Sequence, residues 1–333
     1  SAMQARREAG IFPAMSPRFR TLVLVSLGLL VTSVASCGGG GGATEAESGP
    51  VGLVRLLDAD IPVVGQVDMD GLRQSPYYPL VRDALLATLN EREQGELRNV
   101  LTLLDRTDHI VVGTNPVADV GVFLLRGSFE ASDIERVNPR DGQYPHRQYT
   151  LRGSERVRGI ATPDTLILGS TELVHRALDR LDGVLPATGP TLAGFPEAAG
   201  RARLGEADLS AVVLLTDELR RGLGTGDVEQ ALQESGLSVG ASLDARNGIR
   251  ISAFFTASTE GAVGVLAQAL RGGLAEAQSD MTLSMLGLSV LLQQIEITER
   301  GTDLLVDFHL DDQQVRDVLD RFGPLLQAFL GLT

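Results

Sequence analysis

The alternation of apolar runs and helical periodicity along the chain predicts an α+β fold. From residue 51 onward, IPVVGQV at 61–67 is typical of a strand, and a serine-proline pair at 75–76 supplies a helix N-cap and a first-turn proline. A second helix is expected near 91–105. The pattern then predicts strands near 108–113, 120–128, 146–152, 155–162 and 164–169 and a helix over 170–181.

The second half of the chain repeats this order of elements. Ala-Asp-Leu at 207–209 opens an apolar run as Ala-Asp-Ile does at 59–61, and Leu-Arg at 219–220 then corresponds to Leu-Arg at 72–73. We therefore expect two tandem α+β units, residues 51–190 and 191–333, each an antiparallel sheet with helices packed on one face. The pattern loosely resembles uncharacterised repeat-containing surface proteins of bacteria, and this resemblance implies no activity.

Further signals in the second half place individual elements. Asn247-Gly248 is a strong hairpin signal between two apolar strands. Periodic segments predict helices over 258–277 and 311–331, with a hairpin between them. Residues 281–292, MTLSMLGLSVLL, are apolar on most of their circumference, which favours a buried helix. Beneath an open sheet, the same helix could line a groove for an acyl chain.

Residues 15–37, MSPRFRTLVLVSLGLLVTSVASC, have the layout of a secretory signal. Arg18 and Arg20 precede an apolar stretch of 15 residues, Thr21–Ala35. That stretch is shorter than the about 20 residues that cross a bilayer, and it suits the apolar region of a signal peptide. It ends in Val-Ala-Ser-Cys, whose Cys37 is the only cysteine of the chain. This tetrapeptide resembles the lipobox of bacterial lipoproteins.

The resemblance implies that residues 1–36, with an N-terminal extension at 1–14, are removed as a signal peptide and that Cys37 carries lipid chains. Such chains hold a protein on a membrane, since each buried CH₂ contributes roughly 0.8 kcal/mol. By the sorting rule of enteric bacteria, Gly38 after the cysteine implies the outer membrane. Residues 37–50, rich in glycine and acidic residues, then form a flexible tether of roughly 20 Å.

The amino-acid composition excludes several classes of catalytic and binding site. All 29 basic residues are arginine, so lysine-dependent phosphate loops, Schiff bases and Ser–Lys dyads are excluded. Loss of residues 1–36 removes four arginines and one glutamate, which leaves 25 arginines against 42 acidic side chains and a net charge of −17. Such a charge disfavours nucleic acid as a partner. If Cys37 is lipidated, no cysteine remains to bind a metal ion as a thiolate, and we expect no cofactor.

A Gly-Leu-Ser-Val-Gly segment at 236–240 matches the nucleophile elbow of serine hydrolases. In that motif a strand runs through a tight turn into a helix, which exposes the serine. Here a predicted helix ends near Ser235 and a predicted strand follows it. Ser238 is therefore expected to be structural, and we predict no catalytic residue.

No metal site is predicted either. The Asp-x-Asp pairs at 58–60 and 68–70 lack the remaining oxygen ligands of a calcium loop, so helix caps and strand ends explain them better. The histidines share no short ligand spacing; they are His109, His146, His175 and His309.

One hairpin concentrates positive charge in this acidic chain. The segment YPHRQYTLRGSERVRG at 144–159 places four arginines around a Gly-Ser turn: Arg147, Arg152, Arg156 and Arg158. Planar guanidinium groups suit carboxylate or phosphate ligands, so these residues form a candidate anion-binding patch. The alternative is a solvated hairpin in which the arginines face acidic side chains.

Because no motif has the context that its chemistry requires, the sequence favours a non-enzymatic lipoprotein of the bacterial cell envelope. It would act as a binding or structural module, with a protein or a hydrophobic molecule as its partner. A carrier of a lipid or another hydrophobic ligand is the alternative, which the apolar stretch at 281–292 supports. A serine hydrolase that acts through Ser238 is the third hypothesis.

Overall fold

The computed structural model describes residues 50–79, 82, 101–133, 142–281, 284 and 288–318. The predicted signal peptide, Cys37 and nearly all of the tether lie outside these residues. So do most of the helix predicted near 91–105 and the end of the helix predicted over 311–331. Within those two predictions, residues 101–105 and 312–318 are helical.

Strands and helices together confirm the α+β class. The strands are β1 (Val63–Asp68), β2 (Thr107–Asn115), β3 (Val120–Gly127), β4 (Gln143–His146), β5 (Tyr149–Gly153), β6 (Arg156–Thr162), β7 (Thr165–Ser170), β8 (Leu209–Leu214), β9 (Gly236–Asp244), β10 (Ile249–Ala257), β11 (Glu296–Arg300) and β12 (Asp303–Leu310). Within the described residues they form one antiparallel sheet, in the order β11-β12-β10-β9-β8-β1-β2-β3-β7-β6-β5-β4.

The sheet runs without interruption from one predicted unit into the other because β1 pairs with β8. Val63 lies opposite Val213, and Val67 lies opposite Leu209. We name this pairing the seam. Outward from it, the first half has the order β1-β2-β3-β7-β6 and the second half the order β8-β9-β10-β12-β11, with β5 and β4 extending the first half. The two halves thus share a strand order within a single sheet, and their division at residue 190 stays a prediction.

Among the helices whose bounds the structure gives, one is 20 residues long and the others have at most 11 residues. Their bounds are α1 (Pro50–Val54), α2 (Met69–Gln74), α3 (Thr171–Leu181), α4 (Phe195–Arg201), α5 (Asp217–Arg221), α6 (Asp227–Ser235), α7 (Glu260–Ser279) and α8 (Leu288–Leu292). Side-chain caps begin several of them. Asp68 accepts a hydrogen bond from the Gly71 N–H at α2, and Thr216 accepts one from the Leu219 N–H at α5.

Helices cover both faces of the sheet, so the expectation that they pack on one face is wrong. Along β8, Val212 lies in the core of one face, the front face, whereas Val213 lies in the core of the other, the back face. Helices α1, α3 and α4 pack on the front face, and α2, α5, α6 and α7 pack on the back face. All six residues of β8 are buried, and a strand that is apolar on both sides needs cover on both sides.

Helix α3 fixes the end of the sheet that bears β4. Its residues Leu173, Val174, Ala177 and Leu178 are buried and recur at helical spacing. They pack in the front-face core with side chains of β3, β5, β6 and β7. Each buried leucine contributes roughly 1.5–3 kcal/mol, so this helix gives the neighbouring strands a rigid support.

Candidate functional site

The back face carries an apolar strip near the loop between β2 and β3. Val112, Phe123 and Leu168 lie opposite one another on β2, β3 and β7. Phe123 is 40% exposed, although its neighbour Val112 is buried. It also belongs to none of the hydrophobic cores that the described residues form. The strip is therefore accessible to solvent at its centre.

This strip is the floor of a cavity of about 520 Å³, which we name the back-face groove. The apolar side chains of three strands form its base, and two residues of the β2–β3 loop also line it. Its lining residues are Val112, Thr114, Pro116, Asp119, Val120, Gly121, Phe123, Arg156, Val157, Arg158, Leu168, Gly169 and Ser170.

Two of the four predicted anion-binding arginines border the back-face groove. Arg156 and Arg158 are two residues apart on β6, so both lie on the back face, while Val157 between them is buried in the front-face core. Arg158 lies opposite Leu168 of the strip. Arg156 is exposed and makes no ion pair with any described residue.

The other two arginines of the predicted patch lie elsewhere. Arg152 is opposite Arg158 across the β5–β6 pair and lines a neighbouring cavity of about 550 Å³. Arg147 lies in the turn between β4 and β5, where its Nε donates a hydrogen bond to the Asp179 carboxylate on α3. The structure thus brings two arginines to the groove, places one beside it and separates Arg147. Anion binding by these residues stays a prediction.

The back-face groove has the chemistry to accept a molecule with an apolar body and an acidic group. Its floor offers hydrophobic contact, which contributes roughly 25 cal/mol for each Å² of apolar surface removed from water. Guanidinium groups bind carboxylates, phosphates and sulfonates through paired hydrogen bonds. The lining contains two arginines and a single aspartate, Asp119. The lining therefore holds more basic than acidic side chains, in a chain whose formal charge is −14.

A second polar cluster, on the front face, was not predicted from the sequence. The imidazole rings of His146 on β4 and His175 on α3 are stacked, with centroids 3.8 Å apart and 7° between their planes. The Tyr144 hydroxyl lies 3.2 Å from His175 Nε2. His146 Nε2 lies 3.5 Å from Asp179 Oδ1. We name these four residues the histidine cluster.

The surroundings of the histidine cluster shift its titration. Burial lowers the pKa of His175, and the neighbouring His146 lowers it further, while Asp179 acts in the opposite direction. Burial raises the pKa of the Tyr144 hydroxyl. Although burial favours the neutral form of Asp179, a hydrogen bond and charge from Arg147 and the charge of His146 lower the pKa of that carboxyl. At neutral pH the cluster therefore combines a neutral His175 with an ionised Asp179.

Arginines pair with an aspartate of each Asp-x-Asp pair. Asp58 is 4% exposed and lies 2.7 Å from Arg176 Nη2 and 2.5 Å from Arg180 Nη1. Asp68 lies 3.2 Å from Arg246 Nη2. In the part of the chain that the structure describes, no group of three or more His, Cys, Asp or Glu side chains is arranged to hold a metal ion.

Ser238 lies within β9, which directly follows the end of α6 at Ser235. This helix-then-strand order confirms the prediction for the segment and is the reverse of a nucleophile elbow. Ser238 is 7% exposed and lines a cavity of about 470 Å³ together with Arg201 and Arg220. Each of those arginines is paired with an aspartate, whereas Arg156 in the back-face groove has no ion-pair partner among the described residues.

The apolar stretch at 281–292 is described only in part. Met281 is exposed, which contradicts burial of the whole stretch, whereas Leu291 packs against the back-face core. Residues 282–283 and 285–287 lie outside the described residues, so a groove lined by this stretch stays a prediction. Among the described helices, none combines the length and the apolar character that a membrane crossing requires.

No protein-family model and no curated protein sequence matches this chain. Among solved structures, the chain matches three crystal forms of a protein named TP0453. Crystal form III has 11% sequence identity and a TM-score of 0.47, over 80% of this chain and 96% of TP0453. Form IV has 12% identity, a TM-score of 0.49 and coverage of 82% and 95%. Form I has 12% identity, a TM-score of 0.43 and coverage of 82% and 96%. At this distance no function transfers.

Proposed function

We propose that this chain is a lipid-anchored protein of the bacterial cell envelope whose folded part is a non-enzymatic binding module, with the back-face groove as its binding surface. The single observation that supports it most is Phe123. An aromatic side chain that is 40% exposed on a strand, in the same groove as Arg156 and Arg158, offers hydrophobic contact and charge together. Together with Val112 and Leu168, Phe123 forms a contiguous apolar strip with a polar rim, and such a patch is typical of binding sites.

The shape of the groove favours a carrier of a hydrophobic ligand over a purely structural module. The ligand that fits this chemistry is an amphiphile with an apolar chain or ring system and one carboxylate, phosphate or sulfonate group. The apolar part would lie on Val112, Phe123 and Leu168, and the acidic group would face Arg156 and Arg158.

Two dyes of similar shape test this proposal. Anilinonaphthalene sulfonate has an aromatic body and a sulfonate, whereas phenylnaphthylamine has the aromatic body alone. We expect both dyes to bind with increased fluorescence and Phe123→Asp to weaken both. Arg156→Glu should weaken the binding of anilinonaphthalene sulfonate alone. The expected loss of affinity is about tenfold, which corresponds to roughly 1.4 kcal/mol.

Matched controls lie outside the groove. Val184→Asp changes another exposed apolar residue, and Arg250→Glu changes another exposed arginine with no ion pair among the described residues. Neither should alter dye binding. If the four variants behave alike, the groove is not the binding surface. Native mass spectrometry of the form beginning at Gly38 should also show a co-purified amphiphile, and repeated isolation of empty protein would argue against a carrier.

The anchor is a separate part of the proposal. Cys37→Ala removes the thiol to which lipid would be attached, so the variant should leave the membrane fraction while its groove still binds the dyes. Equal membrane fractionation of the variant and the wild-type chain would contradict lipidation. Separation of inner and outer membranes then tests the outer-membrane location that Gly38 implies.

We also propose that residues 51–190 and 191–333 are tandem units. The shared strand order on the two sides of the seam supports this division. So does the correspondence of local elements, since a short helix follows both β1 and β8.

A further inference from the structure

In the part of the chain that the structure describes, the edge strand β4 has one neighbouring strand. Among the described strands it is the last in the sheet order, it is four residues long, and its pairing partner is β5. Pro145 lacks a backbone N–H, which removes one donor from this strand. By contrast, β5 is fixed, because Tyr149 and Leu151 are buried in the front-face core. The side chains that connect β4 to α3 are therefore decisive for its position.

Those side chains belong to the histidine cluster. Strand β4 contributes Tyr144 and His146, and both contact His175 on α3. The turn that follows β4 adds Arg147, which pairs with Asp179. The packing of β4 on α3 thus depends on titratable groups instead of aliphatic ones.

Among the described residues, the other elements packed against α3 face His175 with apolar side chains. Strands β3, β6 and β7 contribute apolar residues to the core beneath the helix: Val122, Leu124, Val157 and Ile167. On α3 itself, Asp179 lies beside His146, and Arg176 pairs with Asp58 and Glu172. Farther along, Asp182 accepts hydrogen bonds from Gln148 and Tyr149. His146 is therefore the basic group stacked on His175.

Two neutral imidazole rings stack favourably, but two imidazolium rings at the same spacing repel each other. Asp179 provides a counter-charge for His146, at 3.5 Å, while it also binds Arg147. A charged His175 would then face a charged His146 in a half-buried position, and separation of β4 from α3 would allow water to solvate both rings.

We propose that β4 is a pH-gated edge of the sheet. It packs on α3 while His175 is neutral, and it separates when His175 is protonated against the stacked ring of His146, which leaves β5 as the new edge strand.

The sign of the pH dependence follows from His175. Burial and the neighbouring His146 lower its pKa from the ordinary value of 6.5 in the packed arrangement. The separated arrangement restores the ordinary pKa, so it binds more protons at mildly acidic pH. Packing is therefore fully favoured above about pH 6.5, and it is lost progressively as the pH falls from there towards the lower pKa of the packed state.

Hydrogen exchange of the full chain in detergent tests this proposal without any ligand. Between about pH 7.5 and about pH 5.5, after correction for intrinsic exchange rates, protection of residues 143–152 should fall by about tenfold, which corresponds to roughly 1.4 kcal/mol of local opening free energy. Residues 236–257 of the β9–β10 hairpin should keep their protection. His175→Phe keeps an aromatic ring in the stack without a titrating group, so its protection should not depend on pH in this range.

His309→Phe is the matched control, because His309 is an exposed histidine on β12, far along the sheet order from β4. It should retain the wild-type fall in protection. Constant protection in the wild-type chain would overturn the proposal, as would an equal fall in His175→Phe. If that variant does not fold, His146→Phe removes the same pair from the strand side and has the same expected result. An NMR titration that gave His175 a pKa of 6.5 or above in the packed state would also overturn the proposal.

Discussion

Two aspartates of one Asp-x-Asp pair show how the surroundings decide the role of a side chain. Asp58 is buried between Arg176 and Arg180, so the loop after α1 is held to a helix far along the chain. Asp60, two residues later, is exposed. A buried carboxylate requires partners, because its desolvation costs several kcal/mol.

Replacing Asp58 with alanine should therefore lower the free energy of unfolding by about 3–5 kcal/mol, since both arginines lose their shared counter-charge and Arg180 is itself only 11% exposed. Asp60→Ala should change that free energy by less than about 0.5 kcal/mol. Urea unfolding of the two variants measures the difference. Equal midpoints would show that the buried ion pair contributes nothing to stability.

Among the elements, α7 shows most clearly how a capping residue fixes the start of a helix. It is 20 residues long and begins after Thr259, whose hydroxyl accepts a hydrogen bond from the Ala262 N–H at 3.4 Å. Val263 and Leu266 then bury the helix against the back-face core. The cap fixes where the helix starts, and the buried face fixes its rotation.

Removal of this cap by Thr259→Ala should cost about 1 kcal/mol of stability, the usual contribution of an N-cap hydroxyl. Thr259→Asn should preserve most of it, because asparagine accepts the same hydrogen bond. Ser258→Ala, at the exposed preceding residue, is the control. Thermal unfolding followed by circular dichroism compares the three variants, and a loss as large in Ser258→Ala would exclude a specific cap.

Elements with a local signal could be predicted from the sequence. The Asn247-Gly248 turn joins β9 and β10, and Gly248 has a φ of 83°, a conformation that glycine adopts without strain. The predicted strand at 146–152 is instead two strands, β4 and β5, separated by a turn at Arg147 and Gln148. Arg147 has a φ of 52°. Neither residue belongs to the usual turn formers, so no local signal marks this turn.

The candidate sites required long-range information. Arg156 and Arg158 could be identified as a charged pair on one strand, but the floor of the back-face groove comes from β2, β3 and β7, which no local pattern brings together. The histidine cluster joins His146 to His175 across that unrecognised turn. Only the packing of α3 on the front face places these rings in contact.

At the scale of the whole molecule, the seam makes one sheet of two halves. Arg246, in the turn after β9, lies 2.9 Å from Asp208 and 3.2 Å from Asp68. Asp68 ends β1, and Asp208 immediately precedes β8. A single guanidinium thus links the two strands of the seam at one end, and valine pairs such as Val63 and Val213 continue it along the strands.

A fragment of residues 51–190 should expose one side of β1 and pair through it with a second copy, because an uncovered strand edge is a template for another strand. Size-exclusion chromatography with light scattering should show a dimer. Addition of the fragment 191–333 should replace that dimer with a mixed pair, since β8 is the native neighbour of β1. A first-half fragment that stays monomeric at micromolar concentration would contradict this expectation.

The seam also affects the order in which the strand pairs form during folding. Hairpins such as β2–β3 and β9–β10 pair residues that are close in the chain. By contrast, β1 can pair with β8 only after the rest of the first half has been synthesised, because β8 begins at Leu209. Contacts of such large sequence separation form slowly, because the loop between them must be closed first. The pairing of β1 with β8 should therefore be a late step of folding. Until the seam forms, one edge of the valine-rich strand β1 has backbone N–H and C=O groups without a strand partner.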